Sequence, residues 1–539
     1  MATASVDVPQ LLQQYTSAPG NAAVLLCDRH ARVPERIALF FEDESGTTAR
    51  ITFRDLHAQS AAFAGVLRAL GVQAGSCVAG FLPRGPELLI TALATWRLGA
   101  VYVPLFTAFG PEAVAYRVRG SNAQVIVTAA SQRAKIPADL VADGRTIVTV
   151  GEGGGRGIER GDLSFYHEIE RADPVTDPVL IRPDDPMVLI YTSGTTGHPK
   201  GVPVPLKALA SVEMYMRIGL DLRDDDVFWN MADPGWAYGL YYGLIGPLLL
   251  GKATLWYRGP FDPKITFWLL DAYGVTNWAA APTAFRALRA AGLQPGTQTR
   301  LRVISSAGEP LNPEVITWAT QTFGVPIHDH YGQTELGMVI NNHHHPAWQR
   351  PLKPGSMGYA MPGFRPVILD AQGQECGPGQ EGHLAIDTAQ SPLFWFAGYV
   401  GDPEATAARF SPDGRYYLTG DDASCDAEGA FFFSGRSDDI ILSAGYRIGP
   451  FEVESALLTH PAVAECAVVG VPDELRGQII KAYLVLRPGF QPTPELEQAL
   501  QAVVRQHVGA HAYPRAFAFV PELPKTPSGK IQRFLLRTS

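Results

Sequence analysis

The 539-residue sequence has few of the features that mark secreted, metal-binding or membrane-spanning proteins. Its most apolar run, residues 244–250, is interrupted by Gly246 and Pro247 and is too short to cross a bilayer. Its cysteines are five, an odd number, widely spaced and without a CxxC pair, which argues against a disulfide framework and a zinc site. These are Cys27, Cys77, Cys376, Cys425 and Cys466.

Basic residues are also in the minority. The chain has 44 lysines and arginines against 53 acidic residues, a net charge of −9. This balance argues against nucleic-acid binding and gives no reason to expect an acidic membrane surface as partner. Residues 1–15 lack a basic segment followed by an apolar one, so no secretory signal is visible. We therefore expect a soluble, cytoplasmic protein.

Strand and helix patterns alternate over most of the chain. An apolar run at 77–82 is followed by a helical pattern at 86–98, which Pro86 opens and Gly99 closes. Another apolar run follows at 101–105. Such alternation predicts layered α/β structure with largely parallel sheets.

Two later regions differ from this pattern. Residues 355–433 have short strand patterns and tight turns, which predict a β-rich subdomain. A compact tail then mixes two helical patterns with two strand patterns. We predict a large N-terminal α/β domain over 1–435 and a small, mobile α+β C-terminal domain over 436–539, joined near Asp438.

The stretch 191–202, YTSGTTGHPKGV, follows an apolar run and concentrates hydroxyls, glycines and one lysine. Glycine lets the backbone approach a ligand closely, and hydroxyls add donors, so the loop suits a polyphosphate. A polar turn between two strands is the alternative. It is not a Walker A loop, because His198 and Pro199 separate Gly197 from Lys200 and further prolines delay a helix.

The loop resembles the phosphate-binding signature of the adenylate-forming superfamily, which comprises acyl-CoA synthetases, peptide-synthetase adenylation domains and luciferases. Further motifs of that superfamily follow in its order over nearly the whole chain. They are AGEPL at 307–311, YGQTE at 331–335, YLTGD at 417–421, GRSDD at 435–439 with SAGYR at 443–447, and PKTPSGK at 524–530.

The resemblance implies a set of nucleotide contacts and roles within it. The loop closes over the β- and γ-phosphates with Lys200 as an auxiliary charge, Thr334 touches the α-phosphate, and Glu335 holds Mg²⁺. The implied ATP and AMP contacts are Thr192, Ser193, Gly194, Thr195, Thr196, Gly197, Lys200, Ala307, Gly308, Glu309, Pro310, Tyr331, Gly332, Gln333, Thr334, Asp421, Arg436 and Arg447. For Glu335 alone, the structural alternative is an acid at a helix N-terminus.

Three further residues receive roles by resemblance. Asp421 is similar to the aspartate that accepts bonds from the ribose hydroxyls, and Arg436 to a ribose or phosphate contact, with a surface ion pair as the alternative. Lys530 matches the lysine that bridges the acyl carboxylate and the α-phosphate, where a flexible point charge is suited. With Thr334 and Glu335 it forms the expected catalytic set.

The implied reaction uses a carboxylic acid, ATP with Mg²⁺, and CoA. The acid attacks the α-phosphate, pyrophosphate leaves, and a thiol then displaces AMP from the acyl-adenylate. The C-terminal domain turns about Asp438 between the two halves, removing Lys530 and bringing the Gly445 loop to the thiol channel.

The acyl pocket is implied by the same comparison, with ordinary core packing as the alternative for its aromatic residues. Its expected lining is Trp236, Ala237, Tyr238, Gly239, Ala307 and Gly332. Gly332 stands where acetyl-CoA synthetases carry a tryptophan, so a glycine is expected to open space and Gly332→Trp to favour acetate or propionate. The tail from 445 to 473 resembles medium-chain acyl-CoA synthetases. We expect a medium-length aliphatic acid, with a small aromatic acid next.

Other interpretations remain open at this point. One alternative is an enzyme that loads a separate carrier protein. An inactive nucleotide-binding relative is disfavoured by the retained motifs. His343-His344-His345 project in different directions without a second cluster, so we expect a loop and no metal site. Acylation of Lys530 would remove its charge, which makes acylating and deacylating enzymes candidate partners. The oligomeric state is open.

Overall fold

The computed structural model describes residues 7–152, 156–192, 199–443, 446–473, 476–509, 511–526 and 530–537. The side chain of Arg447 lies outside this description. Of the expected site, Ser193, Gly194, Thr195, Thr196, Gly197 and Gly445 also lie outside the described residues.

The described strands are numbered here in chain order. Before residue 206 they are β1 (Ile37–Asp43), β2 (Thr48–Thr52), β3 (Cys77–Phe81), β4 (Val101–Pro104), β5 (Val125–Ala129), β6 (Thr146–Val150), β7 (Leu163–Ser164), β8 (Pro186–Thr192) and β9 (Lys200–Pro205). From residue 228 to 387 they are β10 (Phe228–Asn230), β11 (Thr254–Arg258), β12 (Asn277–Ala280), β13 (Val303–Ala307), β14 (Ile327–Gln333), β15 (Gly337–Asn341), β16 (Ser356–Ala360), β17 (Pro366–Leu369) and β18 (Glu381–Asp387). The remainder are β19 (Tyr416–Cys425), β20 (Phe431–Arg436), β21 (Ile441–Ser443), β22 (Tyr446–Ile448), β23 (Val463–Asp473), β24 (Gly477–Leu486) and β25 (Ala516–Phe519).

The described α-helices are numbered in the same way. The first nine are α1 (Val8–Thr16), α2 (Phe53–Ala69), α3 (Pro86–Arg97), α4 (Pro111–Gly120), α5 (Ala130–Arg133), α6 (Ala138–Ala142), α7 (Phe165–Arg171), α8 (Leu209–Met214) and α9 (Ala237–Gly239). The others are α10 (Gly246–Leu249), α11 (Pro263–Ala272), α12 (Pro282–Ala291), α13 (Pro313–Phe323), α14 (Pro403–Ala407), α15 (Pro450–Leu458), α16 (Pro494–His507) and α17 (Arg533–Arg537). Short π-helical segments lie at Val24–Asp28, Tyr215–Gly219 and Leu240–Ile245, and 3₁₀ turns at Leu206–Ala208 and Thr388–Gln390.

Two large sheets form the N-terminal part. One has the order β7-β6-β5-β3-β4-β8-β9 and is parallel except for the β8–β9 hairpin. The other has thirteen strands in the order β17-β18-β19-β20-β16-β15-β14-β13-β12-β10-β11-β1-β2. The neighbouring strands β14, β13, β12, β10 and β11 are parallel. The strands on the other side of β14, which are β15, β16, β20, β19, β18 and β17 in sheet order, pair antiparallel. The antiparallel part is the β-rich region expected from the sequence.

Helices packed on these sheets supply the largest core. Residues 88–97 of α3 are all buried, which is typical of a helix covered on every side. Its neighbour α2 begins at a capping box, in which the Thr52 hydroxyl and the Asp55 carboxylate cap each other's backbone amides. The core combines both helices with residues from strands of both sheets. The layered α/β architecture is therefore confirmed.

A third, smaller sheet belongs to the C-terminal part. Its order is β22-β21-β24-β23, with β25 beside β24, and α15 and α16 pack on it around a separate core. Strand β20 ends at Arg436 in the thirteen-stranded sheet, and β21 begins at Ile441 in this one. The chain thus changes sheets across the turn at 437–439. No helix among the described residues is long and apolar enough to span a membrane.

Candidate active site

Parallel strands bring the central motifs together at one edge of the thirteen-stranded sheet. In the register of β13 and β14, Ala307 lies opposite His330. The stretch Ala307–Pro310 therefore starts beside the strand that continues through Tyr331 to Gln333. Carboxyl ends of neighbouring parallel strands are where α/β proteins bind ligands.

Asp421 lies at the centre of a hydrogen-bonded group. Its carboxylate accepts from the Tyr331 hydroxyl at 2.5 Å and from the Gln333 amide at 2.8 Å. The Arg436 guanidinium donates to its other oxygen at 3.1 Å, because β19 and β20 pair Asp421 directly with Arg436. Asp421 is only 4% exposed, so this is not the surface ion pair that served as the alternative. Four expected nucleotide residues are thus in mutual contact.

Glu335 forms a second group at the turn between β14 and β15. The Tyr399 hydroxyl donates to Glu335 Oε1 at 2.7 Å, and Arg409 Nε donates to the same hydroxyl at 3.1 Å. Burial, and then the charge of Glu335, raise the pKa of Tyr399, so it stays a neutral donor. Glu335 is 5% exposed and is not at a helix N-terminus. The structural alternative for this residue is therefore wrong.

Tyr399 and Arg409 were not found by sequence reasoning. Tyr399 lies just after the buried aromatic segment 393–396, and neither residue belongs to one of the recognised motifs. The Lys200 ammonium lies 5.2 Å from the centroid of the Tyr399 ring, a cation–π distance. The lysine of the phosphate-loop motif is thereby placed beside the Glu335 group.

The loop at 191–202 is the connection of a β-hairpin. Thr192 ends β8 and pairs with Lys200, which begins β9. The backbone of Val400 donates to the carbonyl of Gly201 at 2.9 Å, fixing the hairpin against the Tyr399 segment. The described residues at both ends of the loop are therefore paired strands, and the phosphate-binding role of the loop stays a prediction.

The AGEPL motif exposes its backbone at Gly308, whereas its acid, Glu309, is hydrogen-bonded to α12. Gly308 is exposed with φ +97°, a left-handed conformation that favours glycine. The Glu309 carboxylate accepts from Arg286 and Thr283 of α12, each at 2.8 Å. Glu309 and Pro310 are half-buried. The arrangement suits the expected backbone contact with a base, with Glu309 holding the turn on α12.

The expected acyl pocket residues lie at the start of a long helical segment. Trp236, Ala237 and Tyr238 are half-buried, whereas residues 239–249 are buried, so solvent reaches this segment only at its first three residues. Trp236 packs against Phe106 and Phe109 at centroid distances of 5.4 and 5.5 Å. A Cβ on Gly239 would lie 2.2 Å from the Asp233 carbonyl oxygen. Gly239 is therefore explained by backbone packing.

Gly332 does not open space in the way the sequence suggested. A Cβ at this position would lie 2.2 Å from the carbonyl oxygen of Gly337 and 2.8 Å from the Cα of Met338. The glycine permits close approach of β14 and β15 at a register shift. The expectation of an open space at residue 332 is therefore wrong, and a tryptophan there would displace backbone.

Buried histidines form a cluster that the sequence analysis missed. His343 and His344 lie in a loop, as expected, but His328 and His330 of β14 lie beside His344. The statement that no second cluster supplies imidazoles is therefore wrong. The His328 and His344 rings stack with centroids 3.8 Å apart and planes 12° apart. A ring nitrogen from each of His328, His330 and His344 lies within 4.8 Å of the others, a spacing that could hold a metal ion. In this structure His328 and His344 hydrogen-bond to the Asn342 carbonyl and to Ser305.

Of the C-terminal residues, Asp438 lies beside this site and Lys530 makes no described contact with it. Lys530 is exposed, and its backbone forms a turn with Thr526 through bonds of 3.1 and 2.7 Å. In the described part of the chain no hydrogen bond or ion pair links the Lys530 side chain to Thr334 or Glu335. Asp438 lies in the turn between the sheets, and its carboxylate is 3.8 Å from Arg436 Nε.

Comparison with known proteins shows the family to which the chain belongs. Residues 27–399 match the AMP-binding enzyme family, and residues 452–530 match the AMP-binding enzyme C-terminal domain. The chain belongs to the AMP-binding enzyme family. This confirms the resemblance drawn from the motifs.

Members of this family similar to the chain are acid–thiol ligases. An acetyl-coenzyme A synthetase of Bacillus subtilis (strain 168) is 39% identical over 528 residues, covering 96% of this chain and 90% of the relative. The crystal structure of a Brucella canis acyl-CoA synthetase shares 48% identity, with TM-score 0.77 over 99% of this chain and 97% of that one. An anthranilate CoA ligase, AuaEII, shares 28% identity with TM-score 0.85 over 96% and 97% of the chains.

The chain is thus an ATP-dependent, AMP-forming acyl-CoA synthetase. ATP, CoA and a carboxylic acid are the substrates of this class of enzyme.

Proposed function

We propose that the chain activates a medium-length aliphatic acid with ATP and transfers the acyl group to CoA. The observation that supports activation with ATP most directly is that Asp421 and Glu335 are each buried and held by hydrogen-bonding partners. The medium chain length is supported by the resemblance of residues 445–473 to medium-chain acyl-CoA synthetases. Acetate is the alternative favoured by the acetyl-coenzyme A synthetase relative. A small aromatic acid is the alternative favoured by the anthranilate CoA ligase.

In the first half-reaction, catalysis depends on positioning ATP and the acid and on stabilising the charge that develops. Asp421, oriented by Tyr331 and Gln333, accepts bonds from the ribose hydroxyls. Lys200 and the hairpin loop bind the β- and γ-phosphates, and Thr334 binds the α-phosphate. Lys530 stabilises the charge that develops between the acid and the α-phosphate, which is the kind of preorganised electrostatic contribution that dominates many enzymes.

Glu335 is suited to hold Mg²⁺. Its Oε1 accepts from Tyr399, and no described residue donates to its Oε2. One carboxylate oxygen together with phosphate oxygens and water is the ligand set that Mg²⁺ prefers. When bound, the ion would offset the charge of the triphosphate.

The two half-reactions need different positions of the C-terminal part, because Lys530 acts at the α-phosphate only in the first. Lys530 is exposed and is not in contact with Glu335 or Thr334 in this arrangement. The turn at 437–439 connects two sheets, so rotation there changes neither sheet's pairing. We place the domain boundary at 435/436 and the hinge at Asp438, with Gly445 directed to the thiol channel.

A panel of acids tests the reaction and the chain length. The full chain with ATP and Mg²⁺ is offered acetate, butanoate, hexanoate, octanoate and benzoate, and pyrophosphate and CoA thioester are scored separately. We expect both products, with the highest kcat/KM for hexanoate or octanoate. A maximum at acetate or benzoate contradicts the chain length, and pyrophosphate without thioester favours loading of a carrier protein.

Two accompanying proposals concern the cell. Five free cysteines suit a reducing compartment, so we place the enzyme in the cytoplasm. The exposed Lys530 ammonium is accessible to acylating and deacylating enzymes, and acylation would remove its charge. Deacylase treatment of protein purified from cells should then raise pyrophosphate release. No change in a preparation whose mass shows an acylated Lys530 would contradict this regulation.

A further inference from the structure

A chain of hydrogen bonds runs from the Tyr238 hydroxyl into the buried histidine cluster. The Tyr238 and Tyr215 hydroxyl oxygens are 3.1 Å apart, and the Tyr215 oxygen is 2.7 Å from His330 Nδ1. His330 Nε2 lies 3.1 Å from the carbonyl oxygen of Asn342. The chain therefore connects the half-buried Tyr238 with a main-chain carbonyl in the interior.

The donor and the acceptor of each hydrogen bond in this chain follow from the Asn342 carbonyl at its end. The Asn342 carbonyl can only accept, so His330 Nε2 carries a hydrogen. His330 is 2% exposed, and burial lowers the pKa of its imidazole well below the ordinary value, so the ring is neutral and Nδ1 is an acceptor. Tyr215 must then donate to Nδ1, and its oxygen accepts from Tyr238.

With this assignment the Tyr238 hydroxyl can only accept a further hydrogen bond. Its hydrogen is given to Tyr215, and among the described residues nothing donates to the Tyr238 phenolic oxygen. That oxygen offers only lone pairs. Tyr238 is half-buried beside the half-buried Trp236 and Ala237. Three residues on, the Tyr241 hydroxyl donates to the Thr334 carbonyl at 3.1 Å, which joins this segment to the Thr334–Glu335 turn.

We propose that Tyr238 is a specificity-determining residue that selects acids carrying a hydroxyl or amino donor on the acyl chain. This rests on the proposed function, because it takes the half-buried Trp236–Tyr238 segment as part of the acyl pocket. A donor on the substrate finds the free lone pair. A keto or ether oxygen on the substrate would face the phenolic oxygen, and neither atom could donate. An alkyl group would leave the phenolic oxygen without a hydrogen-bonding partner.

Matched acids test the donor requirement. Three triads carry a methyl, hydroxyl or keto group at the penultimate carbon: 3-methyl-, 3-hydroxy- and 3-oxobutanoate, then the corresponding 4-substituted pentanoates and 5-substituted hexanoates. In at least one triad, kcat/KM for the hydroxy acid should exceed that for both others by about tenfold, the scale of one neutral hydrogen bond. Equal values within every triad, or preference for the keto acid, overturn the inference.

Two variants separate recognition from a structural effect. Tyr238→Phe should abolish the preference for the hydroxy acid and favour the methyl acid. Tyr215→Phe removes the acceptor of the Tyr238 hydrogen and frees that hydrogen to donate, so the keto acid should gain relative to the hydroxy acid. Tyr242→Phe is the control, since its hydroxyl accepts from the Met338 amide at 2.9 Å on the same segment; its ratios should match the wild type.

The outcomes also separate this inference from the proposed function. If Tyr215→Phe and Tyr238→Phe lower all three acids equally, as Tyr242→Phe would by loosening the core, the inference is overturned. If acyl-CoA forms from the panel but every triad is treated alike, only the selectivity fails. If no acid yields acyl-CoA, the proposed function fails together with the inference that depends on it.

Discussion

At the scale of single residues, the site depends on side chains held by partners distant in sequence. Glu335 is oriented by Tyr399, and Asp421 by Tyr331, Gln333 and Arg436. Lys530 has no such partner in the described chain and is exposed. Two acids held by such partners and an exposed lysine fit the proposed reaction, in which the lysine acts in one half only.

Lys530→Ala tests that division of labour. Loss of one preorganised charge should lower the rate of pyrophosphate release by roughly 10²–10³, while thioester formation from supplied acyl-adenylate persists. The rates are measured separately with purified protein. Lys525→Ala is the control, because its ammonium pairs with Glu465 at 2.6 Å in the same tail. Equal loss in both half-reactions would show that Lys530 has another role.

Gly332→Ala tests the close packing of β14 and β15. The added Cβ would meet the Gly337 carbonyl oxygen at 2.2 Å, and overpacking of this kind costs about 1–3 kcal/mol. We expect a lower thermal midpoint and reduced adenylation of every acid. Gly110→Ala is the matched control, since a Cβ there meets nothing within 4 Å. A variant of unchanged stability with a shorter preferred acid would restore the open-pocket interpretation.

At the scale of elements, we propose that the β8–β9 hairpin and the turn after β20 take part in the reaction cycle. The hairpin places Lys200 against Tyr399 and Thr192 beside the loop. The turn at 437–439 separates two sheets, and Arg537 of α17 donates to the Asp438 carbonyl at 2.7 Å. A contact of this kind can hold one orientation of the C-terminal part and be released in another.

Asp438→Pro tests the turn as a hinge. Proline fixes φ and so restricts rotation, and among the described residues no acceptor takes the Asp438 amide hydrogen. Adenylation should stay largely intact, while thioester formation slows. Single-turnover kinetics resolve the two steps. Asp413→Pro, in a turn of the β-rich region, controls for a general effect of proline, and equal slowing of both steps by Asp438→Pro would remove the hinge assignment.

At the scale of the whole molecule, the buried histidines link stability to pH. Burial lowers the pKa of His328 and of His343 from 6.5 to about 4. Between pH 4 and pH 6.5 these two histidines bind more protons in the unfolded chain than in the folded one. Their contribution to the free energy of unfolding is therefore complete above pH 6.5 and is lost as the pH falls toward 4. His330 and His344 shift in the same direction.

His343→Gln tests this linkage. Glutamine retains a donor for the Ala360 carbonyl, which His343 Nε2 approaches at 3.2 Å, but it does not titrate. Between pH 7 and pH 5 the variant should lose about 2 kcal/mol less stability than the wild type, measured from unfolding midpoints. His167→Gln changes an exposed histidine and should follow the wild type. Parallel pH profiles for all three proteins would contradict the prediction.

The sequence by itself determined the α/β class, the reaction type and the motifs that carry it. Strand and helix periodicity depends on neighbours along the chain, and the motifs are contiguous, as in YGQTE at 331–335. The Glu335 and Asp421 assignments could therefore be made before their surroundings were known. The chain length of the acid could not, because it depends on the shape of a cleft built from separate segments.

Only the tertiary structure decided how those residues are partnered. The glycine at 332 is required by the carbonyl of Gly337 on the adjacent strand, and Glu335 is oriented by Tyr399, which no motif includes. Tyr215 and His330 are 115 positions apart in sequence, yet their contact sets which way the Tyr238 hydrogen points. Steric limits and proton directions arise from through-space pairs, and linear spacing does not encode them.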